Sequence, residues 1–228
     1  FYNVAWGNQF LDYDNDMDLD IHICGTIANN AANRNALYSN SGNGTFSNAT
    51  SNIIGFDSTT SFSSALGDIN NDGYIDIAIN NVFPDSFNLW QNSGGNNNWV
   101  KLKLQGVMSN RDGIGSWIEV HAGGSVRTYY TICGSSFQGQ NSNIQNIGLA
   151  SNTVADSIIV TWLSGIEDRM YNVSSGQTLI VLEGQMNSVQ AIVTDNNIKS
   201  FPNPFNKEIN LLVDELNWND AEIRIINS

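Results

Sequence analysis

Two short runs of this chain carry the same spacing of oxygen-bearing side chains, and that spacing restricts what the backbone around them can do. The first is Asp12-Tyr13-Asp14-Asn15-Asp16-Met17-Asp18-Leu19-Asp20, and the second is Asp68-Ile69-Asn70-Asn71-Asp72-Gly73-Tyr74-Ile75-Asp76. Both place Asp or Asn at positions 1, 3, 5 and 9, so alternate residues of a tight loop can turn several carboxylates onto one point. After each run the chain alternates: Leu19, Ile21 and Ile23 against Asp20, His22 and Cys24, then Ile75, Ile77 and Ile79 against Asp76, Ala78 and Asn80. A period of two is the period of a strand. Each run is therefore expected as a turn feeding a β-strand.

The charge distribution singles out the same two places. The 228 residues hold 22 acids and 9 bases, for a net charge of −13. Residues 1–98 carry ten Asp and one base, Arg34, and eight of those ten Asp lie in the two runs. Acids concentrated in this way repel one another unless a cation joins them, and Ca²⁺ takes six to eight oxygen ligands. The chemistry expected is Ca²⁺ at both loops; solvated Asp-rich turns without metal are the plainer alternative. Position 6 needs a sharp turn with positive φ, which Gly73 supplies. Met17 stands there in the first run, and a left-handed Met costs roughly 1–2 kcal/mol. The first loop is expected to be strained, with the extra carboxylate of Asp18 in compensation. An EF-hand would need Glu at position 12 and a following helix, but that position holds Ile23 and Ile79. Dockerin-type tandem loops are disfavoured on the same ground, because they lead into helices.

The two loops lie 56 residues apart, and Leu37-Tyr38-Ser39-Asn40-Ser41-Gly42 is answered by Leu89-Trp90-Gln91-Asn92-Ser93-Gly94. A repeat of this length with several short strands suggests propeller blades. The repeat resembles the FG-GAP/VCBS (integrin-like propeller) repeat, through Trp6-Gly7 and Leu66-Gly67 ahead of the loops and Asn35-Ala36-Leu37-Tyr38-Ser39-Asn40-Ser41-Gly42-Asn43-Gly44-Thr45-Phe46 after the first. The resemblance implies Ca²⁺ ligands at Asp12, Asp14, Asp16 and Asp20 and at Asp68, Asn70, Asp72 and Asp76. The backbone carbonyls of Asp18 and Tyr74 fill position 7. Two blades cannot close a ring, so the chain is expected to be a fragment of a longer propeller protein.

From Asn98 the pattern changes. Val100, Leu102 and Leu104 alternate with Lys101 and Lys103, as on a strand with one wet face. Ile118, Val120 and Ala122 alternate likewise before Gly123-Gly124 turns the chain into 126–133. A second hairpin is expected to join 157–163 to 169–173 through Ser164-Gly165, with 178–183 closing an antiparallel sandwich or small barrel. Asn98-Trp99-Val100-Lys101-Leu102, Ser109-Asn110-Arg111-Asp112-Gly113-Ile114-Gly115, Ile147-Gly148-Leu149 and Val160-Thr161-Trp162-Leu163-Ser164-Gly165 resemble, in order, the ASPIC/UnbV domain of cartilage-acidic-protein-like chains. That implies an extracellular β-module without established catalysis. In residues 109–115, Arg111 and Asp112 are expected to pin a turn whose glycines supply positive φ.

The tail carries Ser200-Phe201-Pro202-Asn203-Pro204-Phe205-Asn206, whose prolines fix an extended entry to alternating Ile209, Leu211 and Val213. It resembles the opening of the C-terminal sorting domain of the type IX secretion system. That resemblance implies a Bacteroidetes-type secreted or surface-attached protein, with the export machinery as a partner and passage through the periplasm. The organisation expected is all-β. About two calcium-binding blades (1–97), a sandwich or barrel-like ASPIC/UnbV domain (98–184) and a linker (185–198) precede the truncated start of the sorting domain (199–228).

Other chemistry is not nominated. A pI near 4.2 argues against nucleic acid. No apolar run approaches the roughly 18 residues that span a bilayer. His22 and His121 stand apart without zinc spacing and are expected as surface or sheet residues. No nucleophile elbow, phosphate loop or dinucleotide fingerprint appears. Cys24 and Cys133, the two cysteines, allow a disulfide in an exported protein; the equal alternative is two buried or unpaired thiols. The function expected is a non-catalytic adhesion or ligand-binding module for a glycan or protein. The alternative is an accessory region of a polysaccharide-processing enzyme.

Overall fold

A computed structural model describes residues 5–25, 35–50, 57 and 59–185, and the backbone alone of 198–201 and 210–213. The chain divides into two units, residues 1–190 and 191–228.

In the first unit the alternating segments form strands. Strands β1 (Ala5–Leu11), β2 (Asp20–Gly25), β3 (Ala36–Asn40) and β4 (Phe46–Asn48) make one antiparallel sheet in that order. Strands β5 (Ser61–Gly67), β6 (Asp76–Asn81) and β7 (Asn88–Trp90) repeat the arrangement. Each acidic run connects the first strand of its sheet to the second. The two sheets are blades of a partial propeller, and Leu11, Cys24, Leu37, Ile77 and Ile79 form a common core.

Both faces of a blade strand find cover, so polar residues also go inside. Asp20, His22 and Cys24 are more deeply buried than Ile21 and Ile23. His22 is a sheet residue but not a surface one: it is fully buried, shares a hydrogen bond with Ser64 Oγ of the other blade at 3.2 Å, and meets the Trp90 ring edge-on. Burial pushes its imidazole down to about 4, so it is neutral in the folded chain.

Strands β8 (Asn98–Gln105), β9 (Trp117–Ala122), β10 (Ser125–Tyr130), β11 (Ile144–Ala150), β12 (Val154–Thr161), β13 (Glu167–Ser174) and β14 (Gln177–Leu182) form a sandwich. One sheet runs β10-β9-β12-β13, all antiparallel; the other runs β11-β8-β14. Both expected hairpins form. The β8–β14 pair is parallel, with Gln177 opposite Val100 and Leu182 opposite Gln105. Local hairpin signals do not announce such a pair, because its partners are far apart in sequence. Val100, Leu102 and Leu104 face Ile118, Val120, Ile158 and Val160 in the core, none more than 3% exposed. Of the two lysines expected on the wet face, Lys101 is buried.

Residues 106–115 form the loop after β8. Gly113 has φ +65°, and a side chain there would press on Leu104 and Trp162. The Arg111–Asp112 pair is exposed, so it does not do the pinning. Glu183 does. One of its oxygens accepts the backbone N–H groups of Val107, Met108 and Ser109 at 2.6–2.7 Å, and the other accepts the hydroxyls of Ser109 and Ser164. Burial alone would raise this carboxyl, but the hydrogen bonds outweigh it and hold it down at about 2.

In the second unit, β15 (Ile198–Phe201) pairs antiparallel with β16 (Asn210–Val213). The Pro202-to-Asn206 part of the tail motif, most of the expected linker, and Ile209 lie outside the described residues.

Candidate metal centre

The two loops share one hydrogen-bond scheme, dictated by the Asp/Asn spacing. The position-1 carboxylate accepts the N–H groups of positions 5 and 6: Asp16 and Met17 on Asp12 (3.0 and 3.1 Å), Asp72 and Gly73 on Asp68 (3.1 and 2.8 Å). The position-5 carboxylate accepts the N–H of position 7, from Asp18 onto Asp16 at 2.9 Å and from Tyr74 onto Asp72 at 2.8 Å. At position 9, Asp20 accepts from Tyr13 and Asn40, and Asp76 from Ile69 and Asn92. Asn40 and Asn92 are the matching asparagines of the repeat. Asn40 clamps its loop from the end of β3 and Asn92 from just past β7, and each side chain also donates to the carbonyl at position 8. Sequence reasoning had matched this pair in the repeat without giving it a role.

The loops differ in what remains unsatisfied. In the first, Asp12, Asp14 and Asp20 bring carboxylate oxygens within 4.8 Å of one another, the group of acids among the described residues placed to hold a metal. One oxygen each of Asp14 and Asp18 is buried without a hydrogen-bond partner. Burial, reinforced by Asp16 and Asp14, pushes the Asp12 carboxyl up to about 8, and burial pushes Asp20 to about 7 against the N–H groups it accepts. Asp14 and Asp18 are raised too, by burial first and then by Asp16. Burial and mutual repulsion both oppose charge on this cluster, and a divalent cation reverses the balance. The residues of this loop fit Ca²⁺.

In the second loop Asn70 and Asp72 bond to each other, at 2.7 Å from the amide nitrogen. Asp68 also carries a partner from outside: Lys101 Nζ lies 2.7 Å from its carboxylate, both side chains 3% exposed. Tyr74 is buried and donates its hydroxyl to the Asn97 carbonyl.

Both loops are roofed by the sandwich. Met17 has φ +74°, the strained backbone expected of it, and its side chain joins the sandwich core, the cluster that includes Val100, Leu102 and Ile118. Burying a Met side chain stabilises by about 1.5–3 kcal/mol, which offsets the roughly 1–2 kcal/mol of left-handed strain. Position 6 thus lacks glycine because its side chain is used as an anchor. Gly148 of β11 leaves room for Asp12, the Ala150 N–H donates to the Asn15 carbonyl, and Arg127 donates to the Met17 carbonyl. Over the second loop, Trp99 lies where a side chain at Gly73 (φ +90°) would have to go. Met17→Ala should cost about 3 kcal/mol in urea denaturation, since the core contact is lost and the strain stays. Met17→Gly should cost about 1 kcal/mol less than that, since glycine relieves the strain. A glycine variant no more stable than the alanine variant would refute the anchor account.

Cys24 and Cys133 are both free thiols, which is the second of the two readings the sequence allowed. Cys24 is sealed in the blade core, where burial pushes its thiol up to about 11, and Cys133 is exposed on the loop after β10.

Blades with an Asp loop apiece, closed over by one β-sandwich, define a modular all-β chain of the adhesion or ligand-binding type. Comparison with known families agrees in both parts. Residues 12–79 match the FG-GAP-like repeat, and residues 106–188 match ASPIC and UnbV. A comparison with curated proteins gives no match. Both families are typical of extracellular or cell-surface proteins and are typically non-catalytic. No helix among the described residues is long and apolar enough to cross a membrane.

Proposed function

We propose that the chain is a secreted or cell-surface, non-catalytic adhesion module in which Ca²⁺ in the first loop locks blade and sandwich together. The observation that carries this reading is the Asp12, Asp14 and Asp20 set with the partnerless oxygens of Asp14 and Asp18, at the seam where Met17 enters the sandwich core. Asp16 and the Asp18 carbonyl complete the oxygen set. The ion supplies two positive charges to a loop with five negative ones, and the seam then holds the exposed surfaces of both parts in fixed relation for a glycan or protein ligand. In calorimetric titration the EDTA-stripped chain should bind Ca²⁺, and Asp14→Asn should lose that binding. Binding unchanged in Asp14→Asn would overturn the reading.

Export through the type IX system is the second element of the proposal. It is supported by the Phe201-Pro202-Asn203-Pro204-Phe205 opening of the tail. Deleting residues 199–228 from the natural protein should leave Ca²⁺ binding intact and trap the product in the periplasm. Normal arrival at the cell surface would overturn it.

A further inference from the structure

We infer that Lys101 is the resident cation of the second loop, and that its hold on the Asp68 carboxylate keeps Ca²⁺ from binding there. The inference goes beyond the first-loop reading and does not depend on it.

The two loops have the same backbone scheme and meet neighbouring strands of the same sheet, so they form a natural comparison. Strand β11 faces Asp12 with Gly148, which has no side chain to bring. Strand β8 faces Asp68 with Lys101, whose Nζ is 2.7 Å from the Asp68 carboxylate and 3.3 Å from the Asn71 side-chain oxygen, and lies 5.1 Å from the centroid of the Trp99 ring. Carboxylate, amide oxygen and aromatic face together take up an ammonium group well. Among the described residues, buried side-chain oxygens without a partner occur in the first loop and none in the second. Formal charge agrees: five carboxylates crowd the first loop with one arginine, Arg127, beside them, whereas three, on Asp68, Asp72 and Asp76, share the second with one lysine.

An entering Ca²⁺ would have to take Asp68 from this ammonium. Lys101 has little freedom to leave, because Val100 and Leu102 on either side are fully buried in the sandwich core and fix its backbone. The Lys101 and Asp68 side chains are each 3% exposed, and separating a charge pair buried in this way is strongly disfavoured. The outcome is a division of labour across the seam. The second blade is tied to the sandwich by a permanent, covalently tethered cation, and the first by an exchangeable one that responds to Ca²⁺ concentration.

The experiment is Ca²⁺ titration by calorimetry on the full chain after EDTA treatment, read as ions bound per chain. Asp72→Ala, which leaves the Lys101–Asp68 pair in place, should bind as many ions as the unsubstituted chain and with the same affinity. Lys101→Met, which keeps an apolar stem of similar length, should bind one ion more. Loss of one ion in Asp72→Ala would overturn the inference, as would a folded Lys101→Met with no gain. If Lys101→Met does not fold, Asp72→Ala decides alone. An unsubstituted chain that binds no ion, beside a Lys101→Met that binds one, would refute the first-loop reading and sustain this one.

Discussion

Millimolar Ca²⁺ should raise the thermal midpoint of this chain, and Asp12→Asn should abolish the rise. A ligand that binds only the folded state adds RT ln(1 + [L]/Kd), about 2.7 kcal/mol at a hundredfold excess over Kd. For a domain of this size each kcal/mol is worth about 2–4 °C, so the expected shift is about 5–10 °C. The effect should reach beyond the loop itself. Asp12 lies against Gly148, Asn15 holds Ala150, and Met17 sits in the sandwich core. Near-ultraviolet circular dichroism from Trp99 and Trp162 should therefore melt together with the blade signal when Ca²⁺ is present. Identical melts in EDTA and in Ca²⁺ would sink the proposal of a calcium-locked seam.

The second large effect is expected at Glu183, which belongs to neither acidic loop. Its carboxylate accepts three successive backbone N–H groups and two hydroxyls in a buried site. Glu183→Gln sets an amide NH₂ against donors and removes the charge, which should destabilise the sandwich by about 3 kcal/mol. The group also carries a pH signature. Its folded value, about 2, lies below the ordinary glutamate value of 4.5, so the unfolded chain binds the proton more readily. The stability Glu183 confers is fully present above pH 4.5 and is lost as pH falls towards 2. Urea midpoints taken between pH 5 and pH 2.5 should fall more steeply for the unsubstituted chain than for Glu183→Gln. Equal slopes would mean that the hydrogen bonds do not favour the charged form.

Much of the architecture is legible because it rests on local rules. The Asp/Asn spacing alone determines that positions 5, 6 and 7 turn their N–H groups onto side chains within the same loop, and both loops do so. Alternation places Val100, Leu102 and Leu104 on one face, and Gly123-Gly124 and Ser164-Gly165 make the expected hairpins, since each connects residues adjacent in the chain. The residues that set the two loops apart follow no local rule. Met17 reads as a defect at a glycine position until the sandwich core beneath it is seen. Lys101 reads as a wet-face lysine until its strand crosses Asp68, 33 residues earlier in the chain. Glu183 carries no motif, and its donors come from residues 107–109 and 164.

The sequence by itself thus determined that the chain is all-β, where its acidic turns fall, and which faces of the sandwich strands are apolar, because these depend on the period of side chains along a backbone. Only the tertiary structure decided what each turn packs against. A buried charge is governed by whatever the fold packs against it. Here the position-1 carboxylate of one turn meets a glycine, and that of the other a lysine, which contributes a cation.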